Sequence, residues 1–166
     1  MLNSKMETAL NQQINAELWS GYFYLSMSCD MDSKGYEGMA SWFALQAKEE
    51  FEHAKSFMNH IGKMGGKVTL LPVGEVRQEW NTPTDAFEDT LMHEKTVTEK
   101  IYRLMDLAIE LKDYATQGML KLFVDEQVEE ENTVRKILDT LKKIECYSSS
   151  LYAFDKKLGK RGISEN

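Results

Sequence analysis

The sequence Glu50-Phe51-Glu52-His53 puts a carboxylate and an imidazole, those of Glu50 and His53, one helical turn apart. Residues three apart on a helix lie about 5 to 6 Å from each other between Cβ atoms, so both side chains can reach one metal ion. The rest of this helix face is apolar and consists of Met39, Trp42, Phe43, Phe57, Ile61 and Met64. The periodicity therefore predicts a carboxylate inside a helical protein, where it needs a partner.

Three further carboxylates repeat the pattern on other helical segments. Glu17, Glu94 and Glu130 each interrupt an apolar stripe of their own segment. Burying an unpaired carboxylate costs several kcal/mol, so four helices that direct carboxylates into one core need cations there. A pair of metal ions is the simplest solution. The alternative, an ordinary solvated acidic face, is disfavoured because the period calls for apolar residues at these positions.

Composition restricts the class of protein. The 166 residues are enough for a single domain, 1–166, with a substantial core. Cys29 and Cys146 have no metal-binding spacing, and the chain starts without an apolar signal segment, so a cytoplasmic protein is expected. A net charge of -7 without a basic run argues against nucleic acid. No apolar stretch approaches the roughly 18 residues of a membrane span, and small cations are the natural partners of such a surface.

The 3.6-residue period predicts four long helices and a short fifth one. The predicted ranges are 6–34, 37–64, 84–111, 114–145 and 149–159. Gly35 and the pair Gly65-Gly66 are stop signals for the first two helices, and Ser148-Ser149-Ser150 offers an N-cap to the fifth. The expected fold class is all-α, a four-helix bundle with a short C-terminal helix.

The segment 66–82, between the second and third helices, is predicted to be a long crossover. Helices of about 28 residues are roughly 42 Å long, and this segment can extend to about 55 Å at 3.3 Å a residue. It can return the chain along the whole bundle, whereas the short connections on either side make their helices antiparallel neighbours. Its apolar residues predict order against the helices or a neighbouring subunit; they are Val68, Leu70, Leu71, Val73 and Trp80.

With this topology, the ligand pattern closely resembles the prokaryotic non-haem ferritins over essentially the whole chain. The residues that carry the resemblance are Glu17, Glu50-x-x-His53, Glu94 and the run Glu126-Gln127-Val128-Glu129-Glu130. The resemblance implies a ferritin-like bundle, a homo-oligomeric cage of 24 subunits, and a ferroxidase that uses O2 or H2O2 to oxidise Fe(II) and stores ferric oxyhydroxide. It also implies two irons in each subunit.

Individual roles follow from the same resemblance. Glu17 and His53 are expected to hold iron A, Glu50 to bridge, and Glu94 with Glu130 to hold iron B. Tyr24 is expected to hydrogen-bond a ligand carboxylate or to donate an electron, and Gln127 to lie beside the bound oxygen species. The alternative is that both are satisfied core residues. Three neighbouring acids imply a third iron site, with ordinary acidic surface as the alternative: Glu49, Glu126 and Glu129.

The last long helix departs from the symmetric form of the motif, because Gln127-x-x-Glu130 occupies the place of a second Glu-x-x-His. With one histidine instead of two, iron B should be held more loosely, which suits iron as a substrate that leaves. Bacterioferritin, which has the symmetric site and a haem, fits poorly because Glu52 stands where its haem-ligating methionine would be. No haem is therefore expected.

Other classes remain to be separated from a storage protein. Rubrerythrin would need a cysteine module that the chain lacks, and the small DNA-protecting cage proteins place their site between subunits. A di-iron redox enzyme would retain its iron as a cofactor, so release of iron discriminates it. A bundle that serves only as an assembly module would carry its acids incidentally, and loss of metal binding in a folded Glu50→Ala variant would argue against it.

Overall fold

The computed structural model describes residues 2–161, and the regular structure in that range is entirely α-helical. The helices are α1 (Ser4–Ser33), α2 (Glu37–Lys63), α3 (Pro83–Glu110), α4 (Tyr114–Ile144) and α5 (Ser148–Leu158). Each predicted boundary agrees with the structure to within two residues, which confirms the all-α fold with a short fifth helix. In the described part of the chain, no helix has the length and apolar character needed to cross a membrane.

Three of the helices begin at side-chain caps. Asn3, Thr82 and Asp113 precede α1, α3 and α4, and each accepts a hydrogen bond from a backbone N–H of the first turn. Such caps satisfy donors that have no partner within the helix. Pro83 opens α3, at a position where its missing N–H costs nothing and its fixed φ favours the helix.

The ends of α1 and α2 follow the glycine signals. Gly35 and Gly65 have φ of 81° and 73°, the left-handed conformation that glycine adopts without steric cost. The serine N-cap predicted for α5 is wrong. Ser148 is already helical, and Tyr147 precedes the helix without a side-chain cap.

The long helices pack as two pairs, α1 with α2 and α3 with α4. Their buried side chains form two apolar clusters. The first cluster surrounds Tyr24 and Phe43, and the second surrounds Ile14 and Phe57. In each long helix, residues of the two clusters are separated in sequence by buried or half-buried polar residues. The polar residues therefore form a layer across the middle of the bundle.

The crossover runs parallel to α1 over most of its length. Hydrogen bonds join α1 to the crossover at rising residue numbers in both: Asn11 with Thr69 (2.7 Å), Asn15 with Pro72 (3.0 Å), Trp19 with Glu75 (3.0 Å) and Ser26 with Arg77 (2.7 Å). Trp80 is buried and Val68 and Val76 are partly buried against the core, as expected of an ordered segment. The other apolar residues of the crossover, Leu70, Leu71 and Val73, are exposed on the single chain.

Helix α5 is fixed to the start of α2 by Asp155. This buried carboxylate accepts hydrogen bonds from the backbone N–H groups of Gly38 (3.1 Å) and Met39 (2.8 Å), so it caps α2 from a distant part of the chain. The approach is so close that a Cβ on Gly38 would lie 1.8 Å from the carbonyl oxygen of Asp155. Leu151, Phe154 and Leu158 of α5 pack against the core, whereas Tyr152 is exposed.

Candidate metal centre

The polar layer brings one side chain from each long helix to the same depth. Glu17, Glu50, Glu94 and Gln127 are each at most 4% exposed. They come from α1, α2, α3 and α4 in turn. Three carboxylates at this depth require hydrogen bonds, protons or cations, because each isolated buried charge costs several kcal/mol.

Glu17, Glu50 and His53 form the tightest group in the layer. One ligand atom from each lies within 4.8 Å of the others. His53 Nδ1 lies 4.0 Å from Glu17 Oε2 and 3.8 Å from Glu50 Oε2. Neither of these buried oxygens has a hydrogen-bond partner among the described residues. Two carboxylate oxygens that face an imidazole nitrogen with no other partner are a suitable donor set for a hard or borderline metal ion.

The protonation of this group responds to its burial. Burial raises the pKa of Glu17 well above its usual value, and the nearby Glu50 carboxylate raises it further. Burial also raises the pKa of Glu50. Burial lowers the pKa of His53, but the hydrogen bond with Glu126 and the nearby carboxylates of Glu50 and Glu17 outweigh this and raise the pKa to about 11. Protons therefore neutralise the group when no metal is bound, and a divalent cation can replace them.

Each carboxylate oxygen of Glu94 accepts a hydrogen bond from a neighbouring side chain. The Tyr24 hydroxyl donates to Glu94 Oε1, and Gln127 Nε2 donates to Glu94 Oε2 at 3.0 Å. Burial raises the pKa of Glu94 to about 7. Burial and the charge of Glu94 also raise the pKa of Tyr24 well above its usual value, so the phenol stays protonated and remains a donor. Both residues predicted to neighbour the site thus orient one carboxylate.

Glu130 lies at the edge of the layer and is half-buried. Gln46 Nε2 donates a hydrogen bond to Glu130 Oε2 at 3.1 Å, and burial raises the pKa of this carboxyl. Gln46 is not among the residues that the sequence predicts for the site. The signal was present as a repeat, because Gln13 precedes Glu17 by the same four residues that separate Gln46 from Glu50. Gln13 Nε2 donates to Glu17 Oε1 at 2.7 Å.

The three acids predicted for a third site have different surroundings. Glu126 Oε1 lies 3.0 Å from His53 Nε2, which leaves His53 Nδ1 directed at the carboxylate pair. Glu49 Oε2 accepts a hydrogen bond from Arg161 at 2.7 Å. Glu129 is exposed, and no hydrogen bond or ion pair within residues 2–161 joins it to the others. The charges of Glu49 and Glu126 act with burial to raise the pKa of Glu130, so these two acids lie close to the layer.

The remaining histidines have other partners. His60 Nε2 lies 2.9 Å from Thr116 Oγ1, and His93 Nε2 lies 2.9 Å from Ser20 Oγ. Burial lowers the pKa of His93 to about 4, so this imidazole is neutral at physiological pH. Both imidazoles are hydrogen-bonded to hydroxyl groups, and the ring of His93 also packs against that of Tyr24.

Comparison with known proteins gives one consistent result. A family model described as a ferritin-like domain matches residues 7–144. A bacterial non-heme ferritin of Bacteroides fragilis is 38% identical over 161 residues, which cover 97% of this chain and 100% of the relative. A bacterial non-heme ferritin of Staphylococcus saprophyticus is 37% identical over 166 residues, covering 100% of this chain and 99% of the relative.

The solved structures agree with the sequence relatives. An open pore ferritin from the hyperthermophilic archaeon Archaeoglobus fulgidus matches this structure with a TM-score of 0.96 and 40% sequence identity. The match covers 97% of this chain and 99% of that one. The carboxylate layer thus lies in a bundle whose sequence, topology and length agree with the same family throughout, and the chain belongs to the ferritin family of iron-storage proteins.

Proposed function

We propose that this protein is a ferroxidase and iron store, which oxidises Fe(II) within each subunit and keeps the product as ferric oxyhydroxide inside a cage of 24 subunits. The observation that carries the proposal is the pair of buried oxygens, Glu17 Oε2 and Glu50 Oε2, that face His53 Nδ1 without a hydrogen-bond partner. Carboxylates with one imidazole suit Fe(II) and Fe(III), which are hard or borderline ions.

Five residues of this group are proposed to bind the two substrate irons. Glu17 and His53 hold iron A, Glu50 bridges the two irons, and Glu94 with Glu130 hold iron B. The hydrogen bonds that Glu94 and Glu130 accept leave them free lone pairs, since a carboxylate has about four acceptor sites. The hydrogen bond between His53 Nε2 and Glu126 supports Nδ1 as the ligand atom, because an outer carboxylate commonly orients a metal-bound histidine.

Two irons at one centre match the electron requirement of the oxidants. Each Fe(II) gives up one electron, and O2 that accepts two electrons and two protons becomes H2O2. When H2O2 is the oxidant, two electrons and two protons convert it to two molecules of water. Delivering both electrons together avoids one-electron oxygen radicals. Tyr24 and Gln127 support the reaction by orienting Glu94 through the hydrogen bonds that they donate.

The ligand set favours iron as a substrate that leaves. Four ionised carboxylates balance two Fe(II), whereas two Fe(III) leave an excess of about two positive charges. This excess favours hydrolysis of the ferric product. Iron B has no histidine ligand, so it is held by carboxylates alone. Glu49, Glu126 and Glu129 are proposed to form a third site, through which the ferric product moves towards the mineral.

Assembly into a cage would cover apolar surface that is open on the single chain. Leu70, Leu71 and Val73 of the crossover are 65%, 42% and 43% exposed. Tyr22 and Leu25 of α1 are also exposed and line surface cavities together with the crossover. A neighbouring subunit on this face would remove these side chains from water, which supports oligomerisation.

Substitution of the central ligands tests the proposal. Glu50→Ala and His53→Ala should slow rapid Fe(II) oxidation by about tenfold or more while the assembly stays intact. Ferric absorbance after rapid mixing of Fe(II) with oxygenated protein gives the rate, and light scattering gives the particle mass. Glu99→Ala is the matched control, because Glu99 is an exposed carboxylate of α3 outside the carboxylate layer. Oxidation at the parent rate in Glu50→Ala would contradict the proposal.

A further inference from the structure

Arg161 extends from the end of α5 back to α2 and lies over the carboxylate layer. Its guanidinium donates one hydrogen bond to Gln46 Oε1 and another to Glu49 Oε2, the latter at 2.7 Å. The guanidinium carbon of Arg161 lies 5.0 Å from the ring centroid of Trp42, so the indole packs against one face of the guanidinium as a cation–π contact. The Arg161 side chain is only 29% exposed, so its charge is held in a fixed position against α2.

The contact with Gln46 determines the orientation of that amide. Arginine has donors and no acceptor, so Gln46 must present its oxygen to Arg161. Its NH2 group then points the other way and donates to Glu130 Oε2 at 3.1 Å. Gln46 is 1% exposed and has no solvent to compensate for a reversed orientation. Arg161 therefore controls a hydrogen bond to Glu130 through Gln46.

The guanidinium of Arg161 also contacts the carboxylate of Glu49, which is partly exposed to solvent. A cavity of about 230 Å³ opens between Leu45, Lys48, Glu49, Glu52 and His53. A metal ion that enters this cavity meets Glu49 beside the imidazole of the centre. The guanidinium already balances the charge of Glu49, and its positive charge repels a metal ion that approaches the same carboxylate.

We propose that Arg161 is a positioning residue that competes with metal for Glu49. This inference rests on the third site of the proposed function. While Arg161 is seated, Glu49 is neutralised and Gln46 donates to Glu130. A third divalent ion at Glu49 displaces the guanidinium, and the amide of Gln46 is then released from its fixed orientation. The third site consequently fills after the two ligand positions of the centre and binds more weakly than its number of acids suggests.

Anaerobic titration with Zn(II), which carries out no redox chemistry, tests the competition. Calorimetry on the assembled protein after chelator treatment gives the number of sites and their affinities. Arg161→Ala should tighten the third site by about tenfold, because it removes one like charge from the ligand. Arg161→Lys keeps the charge and should recover most of the weaker affinity of the parent. Lys160→Ala is the matched control, since within residues 2–161 Lys160 makes no ion pair.

Tryptophan fluorescence provides a second readout of displacement. Trp42 loses its guanidinium neighbour when Arg161 leaves, so the emission of the parent should change at the third equivalent of Zn(II) and not at the first two. In Arg161→Ala, no such step should occur. Glu49→Gln should abolish the third equivalent and its fluorescence step together.

The outcomes separate this inference from the proposed function. Equal third-site affinity in the parent and Arg161→Ala would overturn the competition, as would the absence of a third equivalent in every variant while the first two persist. Retention of the first two equivalents in Glu50→Ala would instead overturn the assignment of the centre itself.

Discussion

Glu17 and Glu50 direct their Oε2 atoms at the same imidazole nitrogen, His53 Nδ1, from 4.0 and 3.8 Å, and neither oxygen has a hydrogen-bond partner among the described residues. Buried polar atoms are nearly always paired in folded proteins, so two unpaired oxygens at one point are an exception that requires a reason. A cation between them satisfies both at once. Without the cation, these residues destabilise the bundle that contains them.

Glu50→Gln should stabilise the metal-free protein. The substitution keeps the shape of the side chain and removes a carboxyl whose pKa burial raises, so the free energy of unfolding should increase by about 1 to 2 kcal/mol. With Zn(II) in excess the order should reverse, because the variant lacks the bridging ligand. Thermal unfolding with chelator and with Zn(II) measures both effects, and the exposed Glu52→Gln should change neither. A parent more stable than Glu50→Gln in chelator would contradict this account of the layer.

The stability of the metal-free protein should fall between about pH 4.5 and 7. Burial raises the pKa of Glu94 from 4.5 to about 7, so in this interval the folded carboxyl is protonated while the unfolded one is ionised. The folded state then binds more protons, and its stability falls as pH rises. The full shift corresponds to about 3 kcal/mol. The raised pKa of His53 acts with the same sign, but its contribution is lost over a higher range, from about 6.5 to 11.

Urea denaturation in chelator at pH 5 and pH 7.5 measures this loss. Glu94→Gln should reduce the difference between the two pH values, because its amide does not titrate. A parent that is equally stable at both values would show that Glu94 ionises as readily in the folded chain as in the unfolded one.

Tyr24→Phe should slow oxidation without preventing metal binding. The hydroxyl donates to Glu94 Oε1, so its removal loosens a ligand and leaves all five proposed ligands in place. We expect a rate reduced by about tenfold, with the same number of Zn(II) ions bound per subunit. Tyr22→Phe on the same helix is the control, because Tyr22 is 50% exposed. An unchanged rate in Tyr24→Phe would make Tyr24 a packing residue only.

The helix periodicity was sufficient to predict the carboxylate layer. Glu17, Glu50 and Glu94 interrupt apolar stripes, and a residue on such a stripe faces the core whatever the details of packing. The length of the segment between α2 and α3 was likewise sufficient to predict its return along the bundle. Both features depend only on the spacing of residues and the number of residues in a segment, which can be read from the sequence.

The role of Arg161 could not be predicted in this way. Arg161 is separated by 115 residues from Gln46, and their contact depends on where α5 docks. That docking is set by the close approach of Asp155 to Gly38, which no local period encodes. The position of Glu129, by contrast, depends only on the local helix geometry. A step of one residue turns its side chain by about 100° from that of Glu130 and leaves it exposed, as the helix period predicts, and its part in the third site stays a prediction.

Aerobic iron loading tests the central claim most directly. Fe(II) is added to the chelator-treated protein at many irons per subunit, and ferric absorbance and particle mass are followed together. We predict continued uptake into a large soluble assembly, with rapid oxidation in each round of addition because iron leaves the centre as a substrate. Saturation near two irons per subunit, without mineral, would contradict storage and would instead identify a di-iron enzyme that retains its cofactor.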